Sequence, residues 1–196
     1  MSVLKQLIEW DQQALIYLNT QVSAAWADLA MITISGTFIW IPFYALLFYY
    51  LIKKFKYNTV WIVVCVVLTI VLCDQLASGL AKPLTQRLRP CHEPSILPML
   101  RMVTDCGGTY GFFSSHASNT FGLACFIWLI VGKAKPWAWL FAWAAIVSYS
   151  RIYLGKHYPL DILTGALCGV LVACIMAMLC KVLMERYPIK SNALGL

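Results

Sequence analysis

Long apolar runs alternate with short clusters of charge along most of this chain. Residues 31–52 carry no charge, and 57–80 are apolar except for Asp74. Residues 113–132 open on Ser114, Ser115 and His116 and then turn apolar, 136–153 are rich in tryptophan, and 160–182 are apolar after Asp161. Each run approaches the ~20 residues that an α-helix needs to cross ~30 Å of hydrocarbon. The pattern predicts an all-α, polytopic membrane helix bundle with about five transmembrane helices. Upstream, Val3, Leu4, Leu7, Ile8, Ala14, Leu15 and Leu18 recur at helical spacing and leave one greasy face. Residues 1–22 therefore read as an amphipathic helix, either lying in the membrane interface or covering the bundle. Glu9 and Asp11 interrupt the apolar core that a cleavable signal peptide requires, so no such leader is expected. The one long polar stretch is 81–112, expected as an extracytoplasmic loop, and ordered loops of that length tend to be functional. No internal repeat or low-complexity tract divides the chain, and 1–196 reads as a single membrane-embedded domain.

Composition sharpens the picture. Of 196 residues, 61% are hydrophobic and 12% charged, about half the charged fraction of a soluble domain. The net charge of +7 would suit nucleic acid, but the basic residues are scattered between apolar runs. Such positions fit juxtamembrane anchors and anion binding, and no nucleic-acid partner is expected. Lys53, Lys54, Lys56, Lys133, Lys135, Lys181, Arg186 and Lys190 fall in short connections and a tail on one side, as expected of cytoplasm. The opposite side holds the N-terminal helix, the 81–112 loop and the turn at 154–159. Its Lys82, Arg89, Arg151 and Lys156 lie in or beside chemical motifs; discounting them puts the N-terminus outside and the C-terminus inside. Trp26, Trp61, Trp137 and Trp139 near the span ends match an aromatic belt.

Three segments place ionisable groups beside apolar spans on that same outer side: Lys82 to Pro90, Phe113 to Ala117, and Ser150 to Asp161. Taken singly, a basic residue at a span end is an anchor and a histidine near an interface is a packing residue. Convergence changes the reading to phosphoryl transfer. Lys82, Arg89 and Arg151 supply cations for a phosphate, the arginines with bidentate geometry. Ser114 and Ser115 stand at a helix start, where free N–H groups favour an anion. His157 and Asp161 are four apart, so a carboxylate can hold one ring nitrogen while the other attacks phosphorus. His116 is then the general acid for the leaving group.

These residues resemble a known family. KX6RP, a Ser-X-His core and SRX5HX3D are similar to the three-part signature of the type-2 phosphatidic acid phosphatase superfamily, which includes vanadium haloperoxidases. The resemblance covers roughly residues 60–182. The first and third motifs match at each defining position; in the middle one, Phe113 and Ser115 replace the usual proline and glycine. The resemblance implies a phosphohistidine on His157, oriented by Asp161, with His116 as acid and later base. It assigns Lys82, Arg89, Ser114, Ser115 and Arg151 to phosphate binding. It also implies a bacterial inner (cytoplasmic) membrane enzyme whose site faces the periplasm or exterior. The expected substrate is a lipid phosphate: undecaprenyl diphosphate is slightly favoured, with lipid A phosphates and phosphatidylglycerol phosphate as alternatives.

Two other classes compete. A transporter would use the cations as an anion pathway, but paired broken spans and inverted repeats are absent. An inactive scaffold sits poorly with His157, Asp161 and His116 all in place. No obligatory protein partner is inferred, and neither cofactor nor metal is expected, because Cys91-His92 lacks a partner pair and no carboxylate cluster is present. Cys65, Cys73, Cys125, Cys168, Cys174 and Cys180 read as small packing residues within spans. Cys91 and Cys106 share the outer loop and are predicted to form a disulfide. Asp74, two helical turns before Lys82, either pairs with a basic site residue or is hydrated at the membrane edge.

Overall fold

The computed structural model describes residues 3–132 and 135–189, so Lys133 and Lys190, two of the basic residues expected in the cytoplasm, lie outside the described residues. Those described form an all-helical bundle, with one isolated bridge between Leu88 and Tyr110. In order these are α1 (Val3–Thr20), α2 (Asp28–Ser35), α3 (Ile41–Phe55) and α4 (Thr59–Asp74). A π-helical stretch, Gln75–Ala81, carries α4 into α5 (Lys82–Thr85); α6 (Ser115–Ile130), α7 (Trp139–Tyr153) and α8 (Pro159–Arg186) follow.

Two helical runs among the described residues are long and apolar enough to cross a membrane on those grounds alone: Phe38–Thr85 and Pro159–Arg186. The first reverses at Lys56, whose φ is 53°, and Thr59 Oγ1 donates back to the Leu51 carbonyl. The expected span at 31–52 is split. Helix α2 stops at Ser35, Gly36 is extended, and α3 begins with Pro42 in its first turn. A proline there lacks the N–H that a continuing helix would need, so it starts a helix rather than extending one. Helices α6 and α7, at 16 and 15 residues, fall short of the ~20 of a full crossing.

Helix α6 is the central post: Ala124, Phe126 and Ile127 are fully buried against α4, α7 and α8. Its contact with α8 is backbone against backbone. A Cβ on Gly169 would lie 2.2 Å from the Ser118 carbonyl oxygen, and one on Gly165 2.6 Å from that of Ser114. Small residues at such spacing let membrane helices approach closely. The outer face of α8 has the opposite character. Leu163, Leu167, Leu171, Ile175 and Met178 form an exposed apolar stripe along its length, which in water would be a large unpartnered patch and in a bilayer is a lipid-facing wall. At one end of the bundle Lys54 donates to the Val131 carbonyl and Trp61 to that of Tyr187, both at 2.9 Å. The candidate site lies at the other end, opposite the lysines.

Candidate active site

Helix α8 begins with Tyr158 as N-cap and Pro159 at the first helical position, where the missing N–H costs nothing. Asp161, three residues in, accepts from the Tyr158 N–H through Oδ2 (3.0 Å), so the carboxylate caps its own helix. The turn before it carries His157, which is 1% exposed. His157 Nδ1 lies 3.5 Å from Asp161 Oδ2, longer than a normal hydrogen bond, and it has no closer partner among the described residues. Catalytic hydrogen bonds are often this loose before substrate binds. Burial pushes the His157 imidazole down to about 4, against the opposing pull of Asp161, so the ring is neutral at physiological pH. With Nδ1 facing the carboxylate, Nε2 is the ring nitrogen that Asp161 leaves free.

The cations arrive from three directions. Lys82 at the start of α5 donates to Ser115 Oγ (2.8 Å) and Ser78 Oγ (3.1 Å). Ser115, at the position where the family pattern has glycine, thus gives its hydroxyl to the lysine. Asp74 does not reach Lys82 directly: Ser78 lies between them, 3.4 Å from Asp74 Oδ1. Arg89 follows α5 in the loop, its Nη1 donating to the Cys106 carbonyl (2.7 Å) and its Nε to that of Tyr110 (3.3 Å). Arg151, buried at the end of α7, donates to Ser35 Oγ through Nη1, while its Nε has no partner among the described residues. His116, on the first turn of α6, stands within electrostatic reach of Arg151, His157 and Arg89.

Every expected site residue therefore comes to this end of the bundle, but Ser114 differs from the rest. Its N–H donates to the Asp161 carbonyl (3.0 Å) and its hydroxyl accepts from the Ala117 N–H (3.4 Å). Its backbone N–H thus joins α6 to α8, while its hydroxyl, an acceptor here, keeps an O–H to donate. Sequence reasoning also missed Ser35, Ser78, Arg87 and Asp11. Ser78 had a signal, four residues from both Asp74 and Lys82, and so did Asp11, an acid on the greasy face between Leu7 and Leu15. Nothing in the pattern singled out Ser35 or Arg87. Among the described residues no three His, Cys, Asp or Glu side chains cluster as metal ligands do.

Cys91 and Cys106 are joined as a disulfide, with Cα atoms 5.8 Å apart. Arg89 hangs on the Cys106 carbonyl, and the His92 ring meets that of Gly107 at 3.2 Å. The bridge therefore fixes the stretch of loop that holds Arg89. Closing a loop of this length contributes up to about 3 kcal/mol by constraining the unfolded chain. Non-reducing peptide mapping should recover the 91–106 cross-link, and Cys91→Ser should lower both thermal stability and activity; two free thiols in unreduced protein would contradict this.

An apolar chamber of about 490 Å³ leads away from the site into the bundle, lined by His116 and Asn119 at the end nearer the site and by Leu47, Leu51, Leu123 and Ile127 further along. From His116 to Ile127 is eleven residues of α6, or about 16 Å at 1.5 Å per residue. Phe48, Val63 and Val67 line the chamber and are also exposed, so it opens sideways between α3 and α4.

Cations gathered at one end of an apolar bundle, above a tail-sized chamber, mark a protein that handles phosphate at a membrane. Comparison with known proteins is more specific: the PAP2 superfamily model matches residues 62–183, and the chain belongs to that superfamily. It is 39% identical over 166 residues to the lipid A 4'-phosphatase of Bacteroides thetaiotaomicron, covering 83% of this chain and 73% of that one. It is 37% identical over 142 residues to the lipid A 4'-phosphatase of Porphyromonas gingivalis (71% and 60% covered). With the undecaprenyl-diphosphatase of Sulfolobus acidocaldarius it shares 32% over 135 residues (67% and 59%). The crystal structure of Aquifex aeolicus LpxE superposes with a TM-score of 0.61 over 85% of this chain and 94% of that one, at 22% identity. That likeness speaks for the fold alone.

Proposed function

We propose that this chain is a phosphatase of the PAP2 superfamily that removes phosphate from lipid A through a phosphohistidine on His157. The observation that carries the reading is the buried, neutral His157 backed by Asp161 at 3.5 Å, beside three cations. In the proposed step Nε2 attacks phosphorus, the bond to the lipid oxygen breaks, and His116 gives that oxygen its proton. Water then attacks the phosphohistidine, with His116 taking the proton back. Lys82, Arg89 and Arg151 neutralise the oxygens of the transferring group, which lets the reaction proceed without a metal.

The substrate assignment departs from the sequence reading, which slightly favoured undecaprenyl diphosphate. Two relatives matched over long stretches, 166 and 142 residues, are lipid A 4'-phosphatases, and the site end of the chamber supports the same choice. Asn119 Oδ1 there is buried without a hydrogen-bond partner among the described residues. A sugar leaving group offers a hydroxyl or amide donor to such an oxygen, and a bare prenyl chain does not. The tail would lie in the chamber, admitted between α3 and α4. The proposed setting is a bacterial inner membrane crossed five times, with the site facing the periplasm and the lysines in the cytoplasm; the positive-inside pattern supports this orientation.

Phosphate release by the purified protein in detergent, with EDTA present, tests the proposal on lipid A, undecaprenyl diphosphate and p-nitrophenyl phosphate. Lipid A should exceed the prenyl diphosphate by about tenfold or more in kcat/KM, and both should far exceed the soluble ester. A preference for the prenyl diphosphate would return the assignment to the carrier lipid. Equal efficiency on the soluble ester would remove the lipid class altogether.

A further inference from the structure

Helix α1 lies outside the residues matched by the superfamily model, yet its buried side reaches the nucleophile's turn at both ends. Its buried residues are Asp11, Leu15 and Asn19, successive positions of one face across about 12 Å. Asn19 Nδ2 donates to the Tyr153 carbonyl (2.7 Å), just before the turn that carries His157. Asp11 Oδ1 accepts from the Leu160 N–H (2.8 Å), just after it. Between them Leu15 is fully buried in a cluster with Ile152, Tyr158 and Ile162.

Arg87 extends this contact to the catalytic carboxylate. Its Nη2 donates to Asp11 Oδ2 (2.6 Å) and its Nη1 to Asp161 Oδ1 (2.7 Å). The guanidinium lies 4.1 Å above the Tyr158 ring, stacked as arginine stacks on aromatic faces. Both Asp161 oxygens are therefore held, Oδ1 by Arg87 and Oδ2 by the Tyr158 N–H. The carboxylate cannot rotate away from His157 without breaking a charged hydrogen bond. Asp11 needs the same arginine, since burial raises its pKa and Arg87 opposes that rise.

We propose that Arg87 is a positioning residue for the His157–Asp161 pair, and that α1 is the strut that holds Arg87 and the nucleophile's turn in place. This rests on the reading of His157 as nucleophile. Arg87 acts through Asp161, which its Nη1 holds while its Nη2 holds Asp11. Removing it leaves the nucleophile present but poorly aimed.

The test is steady-state kinetics of the full chain in detergent, with lipid A as the probe. Arg87→Gln should lower kcat by about 30- to 100-fold, the scale seen when the support of a functional group is lost, with KM within about threefold. In an Asp161→Asn background the same substitution should cost less than about threefold, since the group it positions is gone. Asp11→Asn keeps an acceptor for Leu160 and gives an answer even if Arg87→Gln does not fold. It should lower kcat by about three- to tenfold at constant KM, and it too should lose its effect beside Asp161→Asn. An undiminished loss in the Asp161→Asn background, or a raised KM with kcat unchanged, overturns the positioning role. His157→Ala, assayed alongside, separates this from the mechanism: an active His157→Ala fails the nucleophile reading, whereas an inactive one with additive Arg87→Gln fails only the strut.

Discussion

His157→Ala should abolish phosphate release from lipid A, a loss of at least about 10⁴-fold, because no other group in the site can replace a missing nucleophile. Asp161→Asn should retain a weakened reaction, its ring neighbour present but no longer held in the reactive tautomer. His116→Ala should hurt most with sugar leaving groups, whose alkoxides need a proton, and least with activated esters. A phosphohistidine trapped by alkaline quench of the wild type and missing from His157→Ala is the direct readout. The same residue sets the acid side of the pH profile. Its pKa is lowered to about 4 by burial, so the ring is neutral above that value and loses its nucleophilic lone pair only as pH falls through it. The enzyme's own acid limb should therefore lie well below the ~6.5 of an ordinary histidine. Full activity of His157→Ala, or an acid limb in kcat/KM near 6.5 traced to His157, would defeat this account.

What the chain disclosed in advance was the makeup of the candidate site more than its helix boundaries. Lys82, Arg89, His116, Arg151, His157 and Asp161 were legible as candidates because three short motifs carry them, and the apolar runs between the motifs implied that they meet at one end of the bundle. Gly36 and Pro42 interrupt residues 31–52 without adding charge, so hydropathy merged α2 with α3 into one span. That break mattered, because it delivers Ser35 to Arg151. Arg87 was invisible for a different reason. It sits at a variable position of KX6RP, and its role depends on Asp11, 76 residues away in sequence. Long-range pairs of this sort leave no periodicity. The chamber was hidden likewise: Leu47, Leu123 and Ile127 look like any core residues until the gap between α3 and α4 is seen. Ser114 has a second task that its motif does not disclose, since its backbone N–H ties α6 to α8 and its hydroxyl caps α6.

Gly169→Ala should lower kcat by about 100-fold and reduce thermal stability in detergent, although residue 169 touches no substrate. The added Cβ would stand 2.2 Å from the Ser118 carbonyl oxygen and 2.9 Å from the Gly122 nitrogen. Both are backbone atoms of α6 and cannot swing aside, so the two helices must separate by about an ångström to restore ordinary contact. Helix α6 carries Ser115 and His116, and α8 carries Asp161 with His157 just before it. Separation therefore pulls the acid from the nucleophile, and misplacement on that scale is worth about 100-fold when reaction depends on near-attack geometry. Gly165→Ala, nearer the site and 2.6 Å from the Ser114 carbonyl oxygen, should behave alike. Leu171→Ala, on the lipid-facing stripe of the same helix, should stay within about threefold of wild type, since it removes exposed surface and no contact between helices. Wild-type kinetics and melting for Gly169→Ala would mean that the α6–α8 contact does not set the geometry of the site, and that the loop carrying Arg89 and Arg87 holds it instead.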